Sequence, residues 1–130
     1  MQSFRTILLA LGALTFAVFA LLQLNDTTQY SNQDAWSWIV LYGVGAILSA
    51  ALIWKPLPGT LTTSWAGFCW GALVFRLQDD VGNFQLSRLN PASYWNESGT
   101  EMVQVSNESG GLLILAVWAT LLIFLKRPTE

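Results

Sequence analysis

Four stretches of the chain carry no charged residue: Ile7–Leu24, Trp36–Trp54, Leu57–Phe75 and Gly110–Leu125, of 18, 19, 19 and 16 residues. A helix that crosses a bilayer needs about 20 mostly apolar residues, with a range of about 17–25. The first three stretches fit. The fourth reaches that length when Ser109 joins its start and Lys126 snorkels at its end. Backbone groups in hydrocarbon must hydrogen-bond within the structure, which leaves helices or a closed barrel. No segment alternates polar and apolar positions over the length of a barrel strand, so the barrel is excluded. The pattern predicts an all-α integral membrane protein, one domain over residues 1–130, with four transmembrane helices near 4–24, 36–54, 57–77 and 100–126.

The connections predict how those helices run. The turn Lys55-Pro56-Leu57-Pro58-Gly59 is short and stiffened by two prolines, so the second and third helices should be antiparallel neighbours in an antiparallel bundle. Loops 25–35 and 78–108 lie on the opposite side. The second is long, broken by Pro91 and Gly99, and carries Phe84, Leu86, Leu89, Tyr94 and Trp95 as apolar anchors. Those anchors predict a loop lying on the membrane surface, with a short interfacial helix before Pro91. Thr100 or Ser98 can cap the last helix, with Glu101 in its first turn, unless Gly110-Gly111 breaks it there.

Composition supports the membrane assignment. The chain is 53% hydrophobic and 11% charged, against about 25% charged in an ordinary soluble domain. Basic residues set the orientation. Arg5, Lys55, Lys126 and Arg127 share one side and only Arg76 and Arg88 the other, which places both termini in the cytoplasm, of a bacterial inner membrane on this reading. Seven of the eight acids fall outside, with Glu130 alone inside. The basic start and the apolar run after it resemble a signal peptide with a cleavage site near Val18-Phe19-Ala20. The run is long for a signal sequence, and we read it as the first membrane helix.

The residue inventory restricts the chemistry. There is no histidine, so no His-ligated haem, zinc or copper and no histidine proton shuttle. Cys69 is alone and cannot form a CxxC pair; between Phe68 and Trp70 it reads as a packing residue. No phosphate-binding glycine loop and no nucleophile elbow occur. An acidic pI near 4.9 argues against nucleic acid. The expectation is a protein that is not an enzyme and has no cofactor.

What remains is polar residues at the outer helix ends: Gln23, Asn25 and Asp26, then Asp34, Trp38 and Tyr42, then Arg76 with Asp79 and Asp80, then Glu101, Gln104 and Glu108. If the bundle closes, they meet at one level. Such a cluster can hold a hard cation such as calcium, a lipid headgroup or a small polar ligand. Its plainer reading is a structural network in which Arg76 pairs Asp26, Glu108 or Asp79. The sequons at Asn25, Asn96 and Asn107 all fall outside as well. Small residues at four-residue spacing, Gly45 with Ser49 and Gly67 with Gly71, predict close helix packing inside the bundle or, alternatively, contact with another subunit. Gly110 and Gly111 join them as packing positions.

Two short motifs carry a resemblance. Gln23, Asn25 and Asp26, followed by Trp38 and Tyr42, resemble the first-helix boundary of the transmembrane protein 220 family, small four-helix membrane proteins. That boundary typically reads Gln-x-Asn-Asp-Pro-Asp. The run Glu108-Ser109-Gly110-Gly111-Leu112, with Trp118 beyond it, resembles the family's acidic stretch ending Glu-x-Gly-Gly-Leu. Thr27-Thr28 replaces the Pro-Asp, Tyr30–Gln33 lengthens the loop, and Asn107 stands where an arginine is common. The resemblance implies a role for Asn25, Asp26 and Glu108 but assigns no biochemical function. Chain economy predicts an accessory or scaffold subunit that meets the lipid bilayer and another membrane protein or complex. A ligand-binding module at the outer cluster is the alternative.

Overall fold

The computed structural model describes residues 2–29, 35–94 and 104–125. Among them are four α-helices: α1 (Gln2–Gln29), α2 (Ala35–Trp54), α3 (Gly59–Arg76) and α4 (Gln104–Leu125). Two short 3₁₀ turns, Leu86–Leu89 and Pro91–Tyr94, lie between α3 and α4. Three segments are long and apolar enough to cross a membrane: Gln2–Leu24, Ala35–Trp54 and Glu108–Leu125. α3 is outside that set because Thr60, Thr62, Thr63, Ser64 and three glycines dilute its 18 residues. The chain divides into two compact units, Met1–Gly59 with Leu122–Glu130, and Thr60–Leu121.

In the first unit α1 packs along α2. α2 buries Ala35, Trp38, Tyr42, Gly45, Leu48, Ser49 and Leu52, steps of three and four that form one stripe. α1 contributes the buried Leu9 and Phe16. Phe16 stacks on Tyr42 at 6.2 Å, and Phe19 meets Tyr42 edge-on at 5.4 Å. Ser49 donates its hydroxyl proton to Gly45 O at 2.7 Å, so its buried polar group is satisfied within its own helix. Gly45 and Ser49 are thus buried, as packing positions should be. At either end of α2 an indole is exposed, Trp36 and Trp54. They stand about 27 Å apart at 1.5 Å per residue, close to the thickness of a hydrocarbon core and at the depth where tryptophan collects.

Arg5 closes this unit. Its Nη2 donates to Leu52 O at 2.7 Å and its Nε to Leu125 O. Both acceptors are carbonyls in the last turns of helices, where no intrahelical donor remains and the helix dipole favours a cation. Leu52 lies on α2 and α1 supplies the arginine, so with Phe16 against Tyr42 the two helices are antiparallel.

One boundary differs from expectation. α1 does not stop near Leu24 but continues to Gln29. No proline or glycine interrupts Asn25–Gln29, and Thr27-Thr28 lets the backbone ladder run on. α4 passes through Gly110-Gly111 without a break, which settles its start before the glycine pair. Residues 30–34 and 95–103, including Asp34, Thr100 and Glu101, fall outside the described residues.

Arg5→Ala should lower stability in detergent by about 1.5–3 kcal/mol, the range for a hydrogen bond to a charged group, and Arg5→Lys should recover only part of it. Thermal unfolding followed by circular dichroism reads this. An unchanged midpoint for Arg5→Ala would remove Arg5 from the set of structural ties.

Candidate functional site

The second unit gathers most of the described polar residues. α3 buries Thr62, Ala66, Cys69 and Leu73 along one stripe. α4 buries Glu108, Ser109, Leu112, Leu115, Ala116 and Ala119. Side chains bridge the two helices at two levels. Trp70 Nε1 donates to Thr120 Oγ1 at 2.8 Å, and that hydroxyl donates to Ala116 O. Higher up, Arg76 Nη2 donates to Glu108 Oε2 in an ion pair. As numbers rise along α3 their partners fall along α4, so these two helices are also antiparallel.

Arg76 and Glu108 form the centre of the candidate site. Glu108 is 7% exposed and Arg76 32%, so the carboxylate is inside and the guanidinium reaches in from the rim. A carboxylate so buried is costly unless paired, and Arg76, ending α3, supplies the charge. Of the three partners the sequence allowed for Arg76, the structure selects Glu108.

The segment after α3 builds a cover beside this pair. Leu77 extends the helix by one bond, N–H to Leu73 O, and the chain then turns through a tight hairpin with Gln78 bridged to Phe84. Asp79 organises it. Its Oδ1 accepts the N–H groups of Val81 (3.0 Å) and Asn83 (2.9 Å), and its Oδ2 accepts Gln85 Nε2 (3.1 Å). Gly82 has φ +87°, a left-handed conformation that side chains resist. Arg88 folds back, its Nη1 donating to Arg76 O (2.9 Å) and Gln78 O (3.0 Å). It satisfies carbonyls at the C-terminal end of α3.

Tyr94, from the second 3₁₀ turn, lies on the backbone of α4 at Gly110. A Cβ there would overlap the tyrosine hydroxyl and stand 2.6 Å from Cζ. Gly110 is therefore a close-approach glycine: the surface segment docks where α4 has no side chain. Tyr94 was expected to anchor in lipid, but its ring is spent on α4.

The other expected residues separate. Trp38 and Tyr42 enter the aromatic cluster with Phe16, their own rings 5.8 Å apart, and Gln23 is half-buried on α1. Asn25 and Asp26 belong to α1, but their side chains, like Asp34 and Glu101, are outside the described residues. Gly67 and Gly71 depart from the expectation of packing inside the bundle. Both are exposed, and a Cβ at either would meet nothing within 4 Å. Gly111 is half-buried on α4. Among the described residues no group of three or more acids and cysteines is placed to hold a metal. Val81 and the Asp79 turn were missed by sequence reasoning; Asp79 followed by Gly82-Asn83 was the available signal.

The Asn83 N–H, helped by Val81, Gln85 and Arg88 and opposed by partial desolvation, holds the Asp79 carboxyl below the usual aspartate value of 3.8. A lowered folded value means that Asp79 stabilises the hairpin above the unfolded value and loses this as pH falls through the folded one. Protease resistance of residues 78–88 should hold at neutral pH and decline only below about 3.9; in Asp79→Asn that acid-dependent decline should be absent. Gly110→Ala should free the segment around Tyr94 to proteolysis, and in a Tyr94→Ala background, where the contact is already lost, the same glycine substitution should add no further cleavage. If Gly110→Ala alone leaves cleavage unchanged, the docking contact is wrong.

The chain was compared with known proteins. A family model described as "Transmembrane family 220, helix" matches residues 15–124, a span that includes Gln23, Arg76, Tyr94 and Glu108. No curated protein and no solved structure matches the chain. The match covers most of the sequence and carries both motifs, and with the helices and ion pair described above it places the chain in transmembrane family 220.

Proposed function

We propose that this protein is a non-enzymatic accessory or scaffold subunit of a larger membrane complex. In this reading it sits in a bacterial inner membrane as an antiparallel four-helix bundle, α3 crossing with the others and both termini in the cytoplasm. One observation supports it most: the exposed face of α3. Thr60, Ser64, Gly67 and Gly71 recur at steps of three and four and are all exposed, with open space where a Cβ would be at both glycines. Small residues on a membrane helix let another helix approach closely, and hydroxyls add hydrogen bonds across the contact. A helix meant to face only lipid gains nothing from them. The low apolarity of α3 then has a reason, because part of its surface faces protein.

The competing reading, a ligand site at the outer acids, has less support at Glu108, whose charge Arg76 already neutralises. A free hard cation would have to displace the guanidinium from a buried carboxylate.

The test uses tagged full-length protein, extracted in mild detergent and read by native mass spectrometry, with Gly67→Leu and Gly71→Leu alongside. The wild type should elute with a second membrane protein in fixed stoichiometry. The variants should lose that mass yet melt no lower, since leucine meets no neighbour and gains up to about 1 kcal/mol of helix propensity over glycine. A wild type that elutes only as a 14.4 kDa monomer would contradict the proposal.

A further inference from the structure

Three apolar side chains on the segment after α3 stand out in the open. Val81 is 80% exposed, Phe84 57% and Leu86 68%. Val81 and Phe84 flank the Asp79 turn, and Leu86 follows two residues after Phe84. The hairpin follows the last turn of α3, where Val74 and Phe75 are also exposed, and is tied to its end by Gln85 N–H donating to Leu77 O at 2.7 Å. The structure points to an interfacial anchor. We propose that this hairpin inserts Val81, Phe84 and Leu86 into the outer headgroup and acyl boundary beside α3.

Four arguments favour lipid as the occupant. Continuity along the chain is the first, because the tip follows exposed apolar residues in the last turn of a membrane protein's helix. The second is size. A stable protein contact needs about 800 Å² per partner, and three side chains fall well short, whereas an interfacial anchor needs only a few apolar groups. Rigidity is the third: Asp79, Gly82 and Arg88 hold the loop in one shape, so insertion orders little that is not ordered already. The last is charge. The Asp79 oxygens turn into the loop, and the Arg88 guanidinium is taken by Arg76 O and Gln78 O. Asp80, beside Val81, is exposed, so the tip carries an open acid and no open cation, and the contact should not favour anionic headgroups. Of the five anchors the sequence offered, Leu89 is half-buried, Tyr94 is on Gly110 and Trp95 lies outside the described residues, which leaves Phe84 and Leu86; Val81 joins them by its exposure.

The inference rests on α3 crossing the bilayer, part of the reading above, and the test separates the two. Nitroxide labels at Val81→Cys, Phe84→Cys and, as a mid-helix reference, Phe68→Cys are placed in a Cys69→Ala background of the full chain. Each is reconstituted in nanodiscs of zwitterionic lipid and, separately, of lipid containing an anionic fraction. Accessibility to oxygen, which concentrates in lipid, is compared with accessibility to a water-soluble nickel chelate. Labels at 81 and 84 should favour oxygen severalfold over the chelate in both lipids, at shallower depth than position 68. Chelate access equal to that of a freely hydrated label would overturn the anchor, and if position 68 still reads as lipid, the spanning reading of α3 stands without it. Low access to both reagents would also overturn it, by making the occupant a protein. A hydrated label at 68 with lipid-facing labels at 81 and 84 would overturn the spanning reading of α3 and, with it, an anchor placed beside a crossing helix.

Discussion

A carboxylate cannot stay charged in a nearly dry place without a partner, and Glu108 is in such a place. Its pairing with Arg76 is the interaction on which the second unit depends. It ties the C-terminal end of α3 to the N-terminal part of α4 and fixes their antiparallel register together with Trp70 and Thr120. On α4, Gly110 follows Glu108 by two residues and meets Tyr94 of the segment after α3. Removing Arg76 would take from a buried carboxylate the cation that balances it, which costs far more than the pair itself contributes. In the first unit Arg5 solves a related problem: carbonyls in the last turns of α2 and α4 lack donors, and a guanidinium provides several in one plane.

With the ends tied, the outer segment is assembled from short-range rules. Asp79 supplies the acceptors for a tight turn, Gly82 the left-handed backbone, and Arg88 a cap for the end of α3. Tyr94 then closes the segment onto Gly110, an α4 position that has no side chain. Asp79 and Arg88 are used internally, whereas Val81, Phe84 and Leu86 are exposed. The same asymmetry holds for α3, where the stripe through Cys69 is buried and the stripe through Gly67 and Gly71 is open.

The sequence carried the helices well because charge-free length is a direct physical requirement of a bilayer. α2 and α3 fall within two residues of the expected limits. Errors came where a local rule met its surroundings. Asn25–Gln29 looked like loop by composition, yet nothing there breaks a helix. The last helix does run through Gly110-Gly111, as expected, and the contact of Gly110 with Tyr94 is what spacing could not show. Spacing alone could not decide whether Gly67 and Gly71 face inward, since a small-residue stripe reads the same from either side. Arg76 had three possible partners for the same reason: an ion pair between residues 32 apart in sequence is fixed by how α3 and α4 meet. The resemblance to the family, in contrast, was legible from a few residues, and two of them, Glu108 and Gly110, each make a contact that sequence alone does not show.

The central claim is that Glu108 is a structural tie held by Arg76 and not an open ligand. It is tested most directly by a double-mutant cycle. Arg76→Gln, Glu108→Gln and the pair of substitutions together would be unfolded thermally in the same detergent, with the wild type as the fourth corner. The account predicts strong non-additivity, with the double variant more stable than the sum of the two losses allows, because no charge is then left unpaired. Additive losses would contradict it: Glu108 would then be independent of Arg76, and its carboxylate would be free to serve something else.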